Sequence, residues 1–173
     1  KKNYSKIGIL GGTFDPPHTG HLHISRVAAK KLKLNKIFWI ITKKNPVKKK
    51  AHYNKQTRIA LSKKITRNDK KIFVYFLENK IKSIYTYKLL EYIKIKNPKS
   101  KLYFLIGADN LKKLHTWKKW KKIVLYAKIA VFPRKDYSFS SVASKKLSKN
   151  EIIYIKTKKI NISSSLIRKF WLH

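Results

Sequence analysis

A chain of 173 residues with 43% apolar content can bury one substantial core, and a single domain spanning 1–173 is expected. No apolar run is long enough to span a membrane, the N-terminus lacks the apolar stretch of a signal peptide, and there is no cysteine; a disulfide framework is excluded and a cytoplasmic location is expected. The net charge of +37 invites a nucleic-acid reading, yet only five of the 44 basic residues are arginine, the type that base-reading and phosphate-clamping surfaces favour. Lysines are spread along the whole chain, and their joint abundance with isoleucine, asparagine and tyrosine fits AT-rich codon usage. Nucleic-acid binding is therefore expected to be non-specific at most.

In chain order, the apolar run 7–10 leads into Gly11-Gly12-Thr13-Phe14-Asp15-Pro16-Pro17-His18-Thr19-Gly20-His21. A short β-branched run, then glycines and prolines, then helical spacing over 19–34 reads as strand, loop and helix. Such a helix start leaves backbone N–H groups unpaired, which favours an anion such as phosphate, and glycine lets the backbone approach it. His18 and His21 fall on one face of the first turn and can donate to phosphoryl oxygens. The string is neither a Walker loop nor the dinucleotide Gly-x-Gly-x-x-Gly. His23 would complete a zinc-like cluster, but cysteine is absent and Asp15 is the one nearby carboxylate, so no protein-held metal is expected.

A second strand, 36–42, precedes a long basic loop, 43–53, expected to face substrate. Helix 54–66, strand 71–76, helix 86–95 with Thr86 as a candidate cap, and strand 101–106 follow. Helical spacing covers 111–125, and Asp109, just after Gly107, suits an N-cap. Strand 128–132 runs toward Arg134; a short helix, 140–147, and a sixth strand, 151–155, come next. The last helix, 163–171, opens on Ser163, Ser164 and Ser165, with Arg168 a turn away and able to grip a phosphate bidentately. Strands alternating with helices predict an α/β fold, a doubly wound parallel sheet with helices on both faces. Its ligand belongs beyond the carboxyl ends of the strands, at the switch point of strand order. Only seven acids exist, and Asp15 and Asp109 lie inside these strings.

The string 11–21 resembles the (T/H)xGH signature of the nucleotidyltransferase superfamily. Ile162-Ser163-Ser164-Ser165-Leu166-Ile167-Arg168 resembles the Ile-Ser-Ser-Thr-x-Ile/Val-Arg motif that closes its active site. Between them, 102–117 resembles the Phe-Ile-x-Gly-x-Asp-x-Leu…Trp block of nicotinate mononucleotide adenylyltransferases, and Tyr85-Thr86 their Ser-Tyr-Thr segment. Residues 39–48 resemble their Trp-x-x-x-Pro-x-Asn-Pro-x-Lys loop, with Lys43 where proline is common. Arg134 matches an arginine after the fifth strand, with Lys135-Asp136 in place of the usual Pro-Gly.

This resemblance implies a Rossmann-like sheet and adenylyl transfer from ATP to nicotinate mononucleotide, giving deamido-NAD and pyrophosphate in NAD biosynthesis. It implies that His18, His21 and Arg168 act at the phosphoryl groups. Gly11, Gly12, Thr13, Phe14, Lys48, Ser163, Ser164 and Ser165 would bind ATP. Asp15, Asn45, Thr86, Asp109, Trp117 and Arg134 would bind the mononucleotide, with Trp117 stacked on the cationic pyridinium. Mg²⁺ is expected to travel with ATP. The alternatives are an enzyme of the same fold acting on nicotinamide mononucleotide or pantetheine phosphate, and a basic nucleic-acid-binding protein that keeps the fold. Five residues follow Arg168, where the family continues into a helical tail, so oligomer contacts stay open.

Overall fold

The computed structural model describes residues 4–43, 51–158 and 163–171; Asn45 and Lys48 lie outside them. Six strands, β1 (Lys6–Gly12), β2 (Lys36–Ile41), β3 (Ile72–Tyr75), β4 (Lys101–Gly107), β5 (Ala127–Phe132) and β6 (Ile152–Tyr154), pair in parallel in the order β3-β2-β1-β4-β5-β6. Each falls within about two residues of the span that its apolar run predicts. The order reverses between β1 and β4, which makes the carboxyl ends of those two strands the switch point.

Strand periodicity builds two cores at once. Ile7 and Ile9, Leu102, Phe104 and Ile106, and Ile129 and Val131 face one side, packing with Leu90, Ile93 and Leu111. Their neighbours Leu10, Leu105, Ala130 and Phe132 face the other, against Leu22, Ala28 and Leu32. Runs buried on both faces are what a parallel sheet between helix layers requires.

The helices are α1 (Thr19–Leu32), α2 (Lys55–Thr66), α3 (Glu78–Ile81), α4 (Thr86–Lys96), α5 (Ala108–Lys113), α6 (Ile123–Tyr126), α7 (Val142–Lys146) and α8 (Ser164–Trp171). The largest departure from expectation is the segment 111–125, which is not one helix. Its chain passes from α5 through a 3₁₀ turn at Leu114–Thr116, reverses at Lys119 (φ 50°), and makes a second 3₁₀ turn at Trp120–Lys122 before α6. Leu111, Leu114 and Ile123 are buried, but Leu125, counted in the helical pattern, is 70% exposed. Tertiary anchoring of three apolar residues overrides the local spacing. Among the described residues no helix is long and apolar enough to cross a membrane.

Candidate active site

The loop after β1 is shaped by its own side chains. His18 is the N-cap of α1 rather than part of its first turn: its Nδ1 accepts the Gly20 N–H at 3.1 Å. In return the His18 N–H donates to Nδ1 of His21 at 3.2 Å. This is a capping box built from two histidines. Both Nδ1 atoms accept a backbone proton, so each neutral ring carries its own proton on Nε2. Burial and the nearby Arg134 guanidinium lower the His18 pKa from 6.5 to about 4. Burial, His18 and Arg134 hold His21 well below its usual value, only partly opposed by its backbone hydrogen bond. At neutral pH the pair is two fixed, uncharged donors with ring centroids 3.9 Å apart.

A stacked floor supports them. Phe14 lies 4.6 Å from the His21 ring and 4.9 Å from Trp39. The Trp39 indole donates to Ser25 Oγ at 2.8 Å, and that hydroxyl donates to the His21 carbonyl at 2.9 Å. Phe14 has φ 47°, a left-handed backbone that is strained for an aromatic residue, and its fully buried ring holds it there. Any contact Phe14 makes with a nucleotide therefore goes through its backbone.

Asp15 is held by backbone N–H groups and by an arginine. Only 4% exposed, its carboxylate accepts the His52 N–H at 2.7 Å and the Tyr53 N–H at 2.8 Å. It also faces Arg168 Nη1 at 3.6 Å, and the same guanidinium donates to the Asp15 carbonyl and to Ser165 Oγ. The side chain orders the loop and ties it to α8. Ser163 caps α8 by accepting the Leu166 N–H at 3.1 Å, and Ser164 Oγ donates to the Pro16 carbonyl at 2.8 Å. The last helix is thus stitched onto the histidine loop, although some 150 residues separate them in sequence.

Across the switch point, Gly107 ends β4 and is itself the N-cap of α5, so Asp109 is not the cap that its position suggested. Asp109 instead pairs with Arg134 Nε at 3.5 Å. A Cβ at Gly107 would collide with the Asp109 carboxylate and press on Arg134 at 3.2 Å, so a larger residue there would have to displace this pair. Asp136 takes φ 64° in the turn that follows, where the family's glycine would stand; aspartate tolerates that conformation better than most residues. Thr86 is the first helical residue of α4 and not its cap, which is Tyr85. Trp117 is half-buried, edge-on to Phe104 at 6.3 Å. His52 and His115 are exposed, and His23 turns toward Thr157 Oγ1 at 3.3 Å. Among the described residues no three His, Asp or Glu side chains gather as a metal cage.

Motif reading misses Arg58. It is 2% exposed, and its guanidinium reaches the carbonyls of Thr13, Thr42, Lys43 and Tyr53. The one signal available was its identity, an arginine in a chain that otherwise uses lysine.

The cytidylyltransferase-like family model matches residues 9–170. A Pelagibacter ubique protein named "probable nicotinate-nucleotide adenylyltransferase" is 46% identical, over 95% of this chain and 93% of its own. A Rhizobium meliloti protein of the same name is 37% identical over 80% of this chain and 73% of its own. The structure of Plasmodium falciparum nicotinic acid mononucleotide adenylyltransferase complexed with NaAD superposes with a TM-score of 0.82 at 26% identity, covering 96% of this chain and 84% of that one. This chain belongs to the cytidylyltransferase-like family and, within it, to the nicotinate-nucleotide adenylyltransferases.

Proposed function

We propose that the chain transfers the adenylyl group of ATP to nicotinate mononucleotide, releasing pyrophosphate and forming deamido-NAD, a step in NAD biosynthesis. The observation that carries this reading is the pair of neutral imidazoles, each fixed through Nδ1 with its proton on Nε2, at the switch point of the sheet. The nucleophile is a phosphate already ionised at neutral pH, so no general base is required. The reaction then needs alignment for in-line attack on the α-phosphorus and donors where charge accumulates on its oxygens.

His18 and His21 donate to the α- and β-phosphoryl oxygens, and the Gly11–Thr13 amides line the loop. Arg168, with Ser163, Ser164 and Ser165, faces the leaving pyrophosphate, and Lys48 adds charge. Asn45, Thr86, Asp109, Trp117 and Arg134 form the mononucleotide side, with Asp15 acting through Arg168 and the loop. Mg²⁺ would come with the nucleotide and supply neutralisation of phosphate charge. The carboxylates of Asp15 and Asp109 face arginines.

The acid is preferred over the amide. Tyr85 caps α4 with no side-chain hydrogen bond, which leaves first-turn N–H groups next to Thr86 for a carboxylate. A carboxamide would turn an N–H toward one of those donors, at a cost of roughly 1–3 kcal/mol, or about tenfold to a hundredfold in efficiency. Pyrophosphate release is measured with ATP and each mononucleotide at physiological salt. Equal efficiencies, or a preference for the amide, would reject the nicotinate acceptor and leave adenylyl transfer standing.

A further inference from the structure

We infer that Arg58 is a positioning residue that sets the geometry of the phosphate loop, an inference resting on the reading of that loop as the ATP site. Arg58 lies in the first turn of α2, after the N-cap Asn54, and its side chain reaches the residues just past the carboxyl ends of β1 and β2. Nη1 donates to the Thr13 carbonyl at 2.6 Å and to the Thr42 carbonyl at 2.7 Å; Nε donates to the Tyr53 carbonyl at 3.2 Å and Nη2 to that of Lys43 at 3.3 Å. One rigid planar group therefore fixes the start of the histidine loop relative to the end of β2 and the start of α2.

Its charge is balanced from two sides. Asp15 and Glu78 both oppose the effect of burial on the guanidinium. Glu78 Oε1 accepts the Lys43 N–H at 2.8 Å, beside the carbonyl that Arg58 holds. Asp15 in turn accepts the two N–H groups next to the Tyr53 carbonyl, so Arg58 and Asp15 grip the same short stretch by opposite polarities. The Thr13 carbonyl adjoins Phe14, whose left-handed backbone needs support on both sides. A lysine would carry the same charge but could not present several donors in fixed directions to carbonyls on three segments.

The test is Arg58→Lys together with Arg58→Gln, which removes the charge and keeps two N–H donors. The main readout is calorimetric affinity for a methylene analogue of ATP with Mg²⁺, scaled to the folded fraction; this does not depend on the acceptor. Binding weakened at least tenfold in both variants, with the mononucleotide KM changed less than threefold, is the expected result. Partial recovery of affinity by millimolar methylguanidinium in Arg58→Ala would strengthen it. Affinity within twofold of the unsubstituted protein in the folded fraction overturns the inference, as does an equal rise in both substrates' constants. Absence of analogue binding to the unsubstituted protein would instead reject the ATP reading itself.

Discussion

Charged groups do different work at the carboxyl edge of the sheet and over the rest of the surface. At the edge, Arg58, Arg134 and Arg168 are each set against Asp15, Glu78 or Asp109, with guanidinium groups half-buried or buried. Elsewhere the basic surface is mostly lysine, with Arg26 and Arg67 exposed among it, and its ion pairs are of the Arg26–Asp69 and Lys88–Glu91 kind, with the basic partner 62% and 45% exposed. A solvated point charge suffices over most of the surface, whereas at the edge several fixed donors meet in one place, which a guanidinium supplies and an ammonium does not. The edge is also where the chain spends three of its seven acids.

The sharpest way to break the edge is to remove one of its two imidazole donors. His21→Ala takes away Nε2–H, and with it the acceptor for the His18 N–H. A lost donor to a developing oxyanion costs about 2.7–4 kcal/mol of transition-state stabilisation, or roughly a hundredfold to a thousandfold in turnover. Steady-state pyrophosphate release with a folded variant measures this; near-normal turnover would remove His21 from the mechanism.

The same loop shows what a sequence can and cannot disclose. Strand positions were legible because runs buried on both faces need no tertiary knowledge, and the two serine and histidine strings were legible as helix starts. That His18 is the cap and His21 its reciprocal partner was not, since histidine is an unusual cap and the bond runs through a ring nitrogen. The structural partners of Asp15 and Arg58 were not legible, because they lie 37 or more residues away for Asp15, and as far as Thr13 for Arg58. Local spacing carries no trace of such contacts. The break at 114–122 was hidden for the converse reason: helical periodicity is present there, and packing overrules it.

Acidification offers a second lever on the edge that leaves most of the lysine surface untouched. The fold holds His18 at a pKa of about 4, whereas the unfolded chain protonates near the ordinary 6.5. Between those values the unfolded state binds more protons, so stability is full above about pH 6.5 and falls as pH drops toward 4. At pH 5 this amounts to about 2 kcal/mol for His18, and His21 adds in the same direction. Melting temperatures at pH 7 and pH 5 test it, because carboxylates hardly titrate in that interval. His18→Asn keeps a capping acceptor and does not titrate, so its melting temperature should change less. An identical pH response in that variant would mean that the histidine pair is not held neutral by the fold.

The finest test exchanges one arginine for lysine on each side of the comparison. Arg168 donates to the Asp15 carbonyl and Ser165 Oγ while facing the Asp15 carboxylate, three different directions that an ammonium on a flexible stem cannot hold together. Arg168→Lys should therefore lower turnover about tenfold, with melting temperature nearly unchanged, since the charge survives and only its aim is lost. Arg26 makes two 3.0 Å bonds to Asp69, a well-formed fork, but it is 62% exposed and its bonds reach none of the loop residues. Exposed pairs contribute up to about 1 kcal/mol, and lysine recovers part of that. Arg26→Lys should leave turnover unchanged and shift stability by less than about 0.5 kcal/mol. If both exchanges are silent, arginine persists at the edge by chance; if both lower turnover, the two regions are not distinct. A loss confined to Arg168 would locate the demand for a guanidinium at the edge, where burial and convergent acceptors make its geometry matter.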